Sequence, residues 1–405
     1  MKVRNGSKRF IKDINRTQVI NEIRKNEGIS RTDISKNLKL GLSTITNIIE
    51  ELINEELVYE IGEDISTGGR KPVLLNFNKN YGNVIGIKIE EHKILVSLTN
   101  LKGEILFNLK ANLTEKISGN ILIDTIKKAV YEIIKVNNIK NKLMGIGIAV
   151  SGLVDQKEGK LIYSGLLSIE NVELSKELEN EFGVPVYVDN DVNVYSLAEL
   201  YYGKGKNRDN FVVITYGTGI GCGIVIDRKI YYGELGGAGE FGHMVILPEG
   251  RMCECGAKGC LEAYAAENAM RQYILENISK YEGCKINYID NLTINRIEEY
   301  ASNGEKLAID ALALSARWLG YGILSLINLL NPATIILASE GMKMQKFMLP
   351  TIKEIVKNNF FRKHPKQIEI VVSEMENEAW QLGAATLAIS KIFELKLYEE
   401  AKKSL

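Results

Sequence analysis

The chain has 405 residues, 45% of them hydrophobic and 25% charged, and its 51 Lys and Arg balance 51 Asp and Glu. That length supports two or three domains with cores of their own. The zero net charge excludes a polyelectrolyte binder, so a nucleic-acid site must draw on local charge. The five cysteines are Cys222, Cys253, Cys255, Cys260 and Cys284. An odd number with three clustered argues against a disulfide scaffold and for a reducing cytoplasm. The N-terminus carries Lys2, Arg4, Lys8, Arg9, Lys12 and Arg16 against Asp13, with no apolar run behind it, so no signal peptide is read.

Apolar spacing at Val19, Ile20 and Ile23 predicts a first helix. Ser30-Arg31-Thr32-Asp33 has the form of a capping signal and opens a short helix through Asn37. Leu40-Gly41 makes a turn, and Ile45, Ile48, Ile49, Leu52 and Ile53 give a third helix one apolar face. Residues 58–61 and 73–77 read as strands around a polar loop ending in Gly68-Gly69-Arg70-Lys71-Pro72. Beyond Tyr81-Gly82 the pattern turns to α/β. Strands are expected at 84–89, 93–99 and 104–112, a helix near 119–137, and strands at 144–150 and 184–188. The last feeds Asp189-Asn190-Asp191-Val192-Asn193 and a helix through Leu200. Strands at 211–216 and 222–226 flank a glycine loop, and the remainder is mostly helical with strands near 333–337 and 367–371. The uncharged run 319–339 is as long as a membrane span, but Asn331-Pro332 interrupts it. It reads as a buried helix, a turn and a strand, and no membrane partner is expected.

Three helices with a Gly turn and a two-stranded hairpin make a winged helix-turn-helix, a reader of double-stranded DNA. Its third helix would enter the major groove with Leu42, Ser43, Thr44, Thr46 and Asn47 leading. Hydroxyls serve bases or phosphates, and Asn pairs bidentately with adenine. This helix has no Lys or Arg, and phosphate would repel Glu50 and Glu51. Ionic affinity is therefore assigned to the basic N-terminal arm, to Arg31 and to the wing with Arg70 and Lys71. Gly68-Gly69 allows close backbone approach, with Arg70 inserted into a narrow minor groove. A small dimerisation domain is the alternative, and the Gly-Gly-Arg-Lys-Pro wing favours DNA.

In mid-chain, His243, Cys253, Cys255 and Cys260 are spaced to hold one tetrahedral metal. One imidazole and three thiolates suit Zn²⁺. Glu240 and Glu262 flank them and are free for another task. A metal-shaped pocket with carboxylates aimed into it points to a polyhydroxylated ligand. Cys222 and Cys284 read as small buried residues.

The carrying motifs are Asn190-Asp191-Val192-Asn193, Gly217-Thr218-Gly219-Ile220-Gly221-Cys222-Gly223, Glu240-Phe241-Gly242-His243 and Cys253-x-Cys255-Gly256-x-x-Gly259-Cys260-Leu261-Glu262. On these the chain resembles the ROK family of repressors and sugar kinases, in its repressor branch, over nearly its whole length. The resemblance implies an α/β fold: a winged helix-turn-helix in 1–78, then a two-lobed actin-like ATPase body. A first lobe would take 79–195, completed by a C-terminal helix at 388–403. A second would take 196–387, with the zinc site and oligomerisation helices. The resemblance also implies structural zinc on His243, Cys253, Cys255 and Cys260. It implies a pentose or hexose on Asn190, Asp191, Glu240, His243 and Glu262. A homodimer or homotetramer on a near-palindromic operator follows.

Asp191 matches the general base of the family's kinases. A kinase of this fold also needs two phosphate loops. Gly217-Thr218-Gly219 matches the second in outline, although a tight turn has the same composition. The first should place an Asp, two Gly and a Thr after Gly86, where the chain reads Ile87-Lys88-Ile89-Glu90-Glu91-His92-Lys93. Lys88 replaces the metal-organising Asp, and Glu90 and Glu91 repel a triphosphate. Ala338-Ser339-Glu340-Gly341 likewise lacks the paired glycines of the adenosine side. The expected function is a sugar-responsive transcriptional repressor with no catalysis and no ATP, Asp191 being vestigial. A sugar kinase that kept a DNA-binding domain is the alternative.

Overall fold

Ser30 opens the second helix of the N-terminal unit, its hydroxyl accepting the Asp33 amide at 3.2 Å. Such a cap is worth about 1 kcal/mol. In the computed structural model, which describes residues 2–3, 8–63, 72–114, 117–286, 292–375, 378–394 and 398–399, the unit comprises helices Lys8–Lys25, Arg31–Leu38 and Leu42–Asn54. Lys39, left-handed at φ 55°, ends the second helix. A three-stranded sheet follows in the order Ile29–Ser30, Val73–Phe77, Val58–Glu63. Val19, Ile34, Ile45, Ile49, Leu52 and Leu75 are fully excluded from solvent between the helices and the sheet. Arg70 and Lys71, the expected wing contacts, lie outside the described residues. This core continues into Val84, Leu101, Ala385, Ala388, Ile389 and Phe393, so the reader is docked on the body.

The first lobe is a five-stranded sheet in the order Val186–Asn190, Leu143–Val150, Asn83–Ile89, Lys93–Asn100, Ile105–Asn112. Its first three strands are parallel and the remaining pairings antiparallel. The near-continuous apolar strands 83–89 and 143–150 are buried on both faces. Helices Gly119–Asn137 and Leu174–Phe182 cover one face, with a small sheet of Leu153–Asp155, Lys160–Ser164 and Ile169–Val172 beside them.

The second lobe repeats the plan in the order Lys229–Ile230, Ile220–Ile226, Phe211–Tyr216, Thr334–Ala338, Glu369–Val372. Helix Lys306–Leu330 packs over it. That helix is long and apolar enough to cross a membrane, but 56% of its apolar window is buried inside the fold. Asn331, left-handed at φ 45°, stops it, and Thr334–Ala338 is a buried strand, so the run breaks where its sequence predicts.

Two helices fill the space between the sheets, Asp191–Tyr201 and Ala379–Ile392. Glycines let them lie directly on strand backbone. A Cβ at Gly86 would stand 2.0 Å from the Gln381 carbonyl, and one at Gly147 1.7 Å from that of Ala384. The helix seated on the first sheet spans Ala379–Ile392; of the expected 388–403, residues 395–397 and 400–403 lie outside the described residues. The seat on the sheet uses the small residues Gly383, Ala384, Ala385 and Ala388, whereas half of 394–405 is Glu and Lys.

Candidate functional site

Strand Val186–Asn190 delivers the first site residues at its carboxyl end. Asn190 caps helix Asp191–Tyr201, its Oδ1 accepting the Val192 amide at 2.9 Å while its Nδ2 donates to the Gly152 carbonyl at 3.0 Å. Asn190 thus joins strand to helix and keeps one N–H and one lone pair beyond these bonds. Asp189 behind it is fully buried. It accepts from the Asn190 amide at 2.7 Å, Tyr232 hydroxyl at 2.8 Å, Asn193 amide at 3.1 Å and Gln156 amide at 3.3 Å. Burial pushes its carboxyl above the usual range, and the four donors pull it back.

Lys88 reaches the same place from strand Asn83–Ile89, two strands away in the sheet. Its ammonium donates to Asp191 Oδ2 in an ion pair whose side chains are only 8% and 14% exposed. The ammonium also lies 4.4 Å from the centroid of Trp380. Sequence reading marked Lys88 as a lost Asp but missed this partner. Strand alignment was the hidden signal: 83–89 pairs with 143–150, which pairs with 186–190. An ammonium therefore engages one carboxylate oxygen of Asp191.

Glu240, His243 and Glu262 converge opposite. His243 sits in the 3₁₀ turn Phe241–His243, with Nε2 3.9 Å from Glu240 Oε2 and Nδ1 3.6 Å from Cys253 Sγ. Burial raises the Glu240 carboxyl; His243 lowers it, and Glu262 and Asp191 raise it further. Glu262 begins helix Glu262–Ala265, and its Oε2 accepts the Ile220 amide at 2.8 Å.

The donor atoms of His243, Cys253, Cys255 and Cys260 all lie within 4.8 Å of one another. The Cys255 and Cys260 sulfurs are 3.8 Å apart. A tetrahedral site with ~2.3 Å metal–sulfur bonds has an edge of ~3.8 Å, so the donor set fits one tetrahedral cation. Burial pushes the Cys253 thiol up to about 12, so a thiolate there calls for a cation. The loop is pinned by bridges Val245 to Cys260 and Met252 to Lys258. Gly259, at φ 84°, leaves no room for a Cβ, which would stand 1.9 Å from the Leu247 carbonyl.

The strand glycines that follow Gly217-Thr218-Gly219 admit a helix. A Cβ at Gly221 would stand 2.4 Å from Val192 Cγ2, and one at Gly223 2.0 Å from Ser196 Oγ. Both glycines thus seat helix Asp191–Tyr201, and the Ile220 amide is taken by Glu262. On the first strand pair, Glu90-Glu91-His92 is a tight turn closed by the Glu90 amide on the Lys93 carbonyl and by a Glu90–Lys93 ion pair, both 2.9 Å. Gly341 lies against Tyr216, whose hydroxyl donates to the Ala265 carbonyl at 3.0 Å.

On the DNA reader, Leu42, Ser43 and Asn47 are exposed and Thr44 and Thr46 half-buried. Thr46 Oγ1 donates back to the Leu42 carbonyl at 2.9 Å. Arg31 pairs with Glu60 of the hairpin at 2.9 Å. Part of the expected basic arm is committed elsewhere. Lys12 and Arg16 lie on the first helix and pair with Glu51 at 2.6 and 3.8 Å, and Arg16 also pairs with Glu55. These cations offset the carboxylates of the third helix instead of standing free for phosphate.

The sequence matches the ROK family over residues 84–391 and a winged helix-turn-helix DNA-binding family over residues 12–59. It is 33% identical to the xylose repressor of Caldicellulosiruptor bescii, over 97% of this chain and 100% of the relative. A crystal structure of a ROK family transcriptional regulator, a homolog of the E. coli MLC protein, superposes with TM-score 0.85 at 28% identity, covering 96% of this chain and 98% of that one. The ROK family glucokinase from Streptomyces griseus, solved with glucose and AMPPNP, superposes with TM-score 0.66 at 27% identity, covering 76% of this chain and 99% of that one. The match to the body and the separate match to the DNA reader lead to one assignment: the chain belongs to the ROK family and carries a winged helix-turn-helix domain ahead of its ROK body.

Proposed function

We propose that this protein is a sugar-responsive transcriptional repressor that holds operator DNA through its winged helix and releases it when xylose enters the cleft. The observation that carries the non-catalytic part is the Lys88–Asp191 ion pair. Phosphoryl transfer depends on placed charge and a free base, and here the base position is engaged by a cation. Similarity to a xylose repressor along the whole chain supports the choice of sugar.

In this reading Asp191, Glu240 and Glu262 accept from sugar hydroxyls, and Asn190 adds its remaining donor. Zn²⁺ on His243, Cys253, Cys255 and Cys260 fixes the segment that carries Glu240 and Glu262. With Nδ1 toward the cluster, the Nε2 of His243 is left for a hydroxyl. Two copies of the chain in the cytoplasm would read two half-sites, with Ser43, Thr44 and Asn47 at the base edges and Arg31, Arg70 and Lys71 on the backbone. The test is operator binding by the zinc-loaded protein under titration with xylose, glucose and N-acetylglucosamine. Release by xylose at lower concentration than by the others supports the reading. Indifference to all three sinks it.

A further inference from the structure

Two helices leave the sugar cleft side by side and end at one residue of the DNA reader. Helix Asp191–Tyr201 starts at Asn190 and Asp191. Helix Ala379–Ile392 starts beside Trp380, whose ring carries the Lys88 ammonium and packs 4.7 Å from the Tyr195 ring. Further along, a Cβ at Gly383 would stand 2.1 Å from the Val194 carbonyl, and Thr386 Oγ1 donates to the Tyr202 hydroxyl at 3.3 Å. The helices therefore run parallel, over about 16 and 21 Å at 1.5 Å per residue.

At the far end helix Ala379–Ile392 meets Arg24 of the first winged-helix helix, and helix Asp191–Tyr201 reaches that end through the Thr386–Tyr202 hydrogen bond. The Arg24 guanidinium lies 3.9 Å from the centroid of Phe393, the residue that closes helix Ala379–Ile392. Tyr201 and Tyr202, which close the other helix, are near enough to act on the Arg24 charge. Phe77 of the hairpin packs edge-on to Phe393 at 5.6 Å, and Asn21 Nδ2 donates to the Phe393 carbonyl at 3.0 Å. Arg24 itself donates to Asn21 Oδ1 at 2.9 Å, and no carboxylate ion pair involves it among the described residues. Helix C-termini carry partial negative charge, so a cation without a carboxylate is placed where two such ends converge. Desolvation pushes the guanidinium down only to about 10, so it keeps its charge at neutral pH.

The helices belong to different lobes. Ala379–Ile392 is seated on the first sheet at Gly86 and Gly147, and Asp191–Tyr201 on the second at Gly221 and Gly223. A change of lobe closure would displace one helix relative to the other, as in the shear motions of packed helices. The cleft end of Asp191–Tyr201 carries Asn190 and Asp191, that of Ala379–Ile392 carries Trp380 beneath the Lys88 ammonium, and such a displacement would be felt at Arg24.

We propose that Arg24 is the positioning residue that couples the sugar cleft to the DNA reader, clasping the C-terminal ends of both interlobe helices so that the winged helix keeps its reading orientation in only one lobe arrangement. This rests on the sugar-sensing reading above. A sugar that binds the other arrangement better shifts the clasp by its differential affinity.

The test uses the full-length, zinc-loaded protein and its Arg24→Met and Phe393→Leu variants. Operator affinity is measured with and without xylose, and xylose affinity by calorimetry. In the wild type the ratio of the two operator affinities is expected in the range of roughly 5 to 150 typical of coupled sites. In both variants it should fall to within about twofold of one while xylose affinity changes by less than about threefold. A folded Arg24→Met protein that binds xylose and keeps the wild-type ratio overturns the proposal. A wild type whose operator affinity ignores xylose overturns the functional reading instead. Should Arg24→Met fail to fold, hydrogen exchange on the wild type decides. Altered protection on xylose addition in Lys8–Lys25 and at 389–393 supports the clasp, and change confined to the cleft overturns it.

Discussion

The ammonium of Lys88 lies on the carboxylate of Asp191, bridging the central strand of the first sheet and the first turn of an interlobe helix. In the proposed reading this pair engages the carboxylate expected to match the general base of the family's kinases. It also ties the cleft floor to Trp380 at the start of the second interlobe helix. Removing one partner of a mostly buried pair leaves a charge without its counterion. Lys88→Met should therefore cost about 3 kcal/mol of unfolding free energy, and Lys88→Met with Asp191→Asn should recover most of it. Denaturant melts of the single and double variants check this. Equal losses in both would show that the pair contributes nothing specific.

Cys255→Ser removes one of four metal donors that lie within 4.8 Å of one another. Metal content by elemental analysis should fall from near one per chain, and the sugar response should go with it. Full response in a metal-free variant would separate the cluster from sensing.

Glu262→Gln keeps an oxygen acceptor for the Ile220 amide and removes only the charge. Operator affinity without sugar should stay within about twofold, and xylose affinity should drop by about tenfold or more, since a hydrogen bond to a charged group is worth ~1.5–3 kcal/mol. Calorimetry reads the sugar term. An unchanged xylose affinity would remove Glu262 from the site.

Arg70→Ala should weaken operator binding and reduce the slope of log affinity against log salt by about 0.9, the loss of one phosphate contact. Anisotropy titrations over a salt series check it. Unchanged slope and affinity would exclude the wing arginine as a contact.

What could be read from the sequence was what local pattern determines. The His243, Cys253, Cys255 and Cys260 spacing already confines four donors to one loop, and the Ser30 cap and the apolar stripe of Leu42–Asn54 determine their helices by themselves. Partners distant in sequence were not legible. Lys88 and Asp191 are 103 positions apart, and Lys12 and Glu51 are 39 apart, so nothing local links them. The glycines misled for a related reason. Gly221 and Gly223 stand in the same glycine-rich motif as Gly217-Thr218-Gly219, yet the close approach they permit is that of a helix. The span of helix Ala379–Ile392 followed from its seat on the sheet at Gly86 and Gly147, which no helical periodicity encodes.

The central claim is that the cleft senses sugar and does not phosphorylate it. Its most direct test is calorimetry of the zinc-loaded protein with xylose, then with ATP–Mg²⁺, alone and together, followed by assay of the mixture for sugar phosphate. The account predicts saturable heat with xylose, none with ATP–Mg²⁺ in either order, and no phosphorylated sugar. ATP binding strengthened by xylose, or a sugar phosphate that disappears in Asp191→Asn, would contradict it.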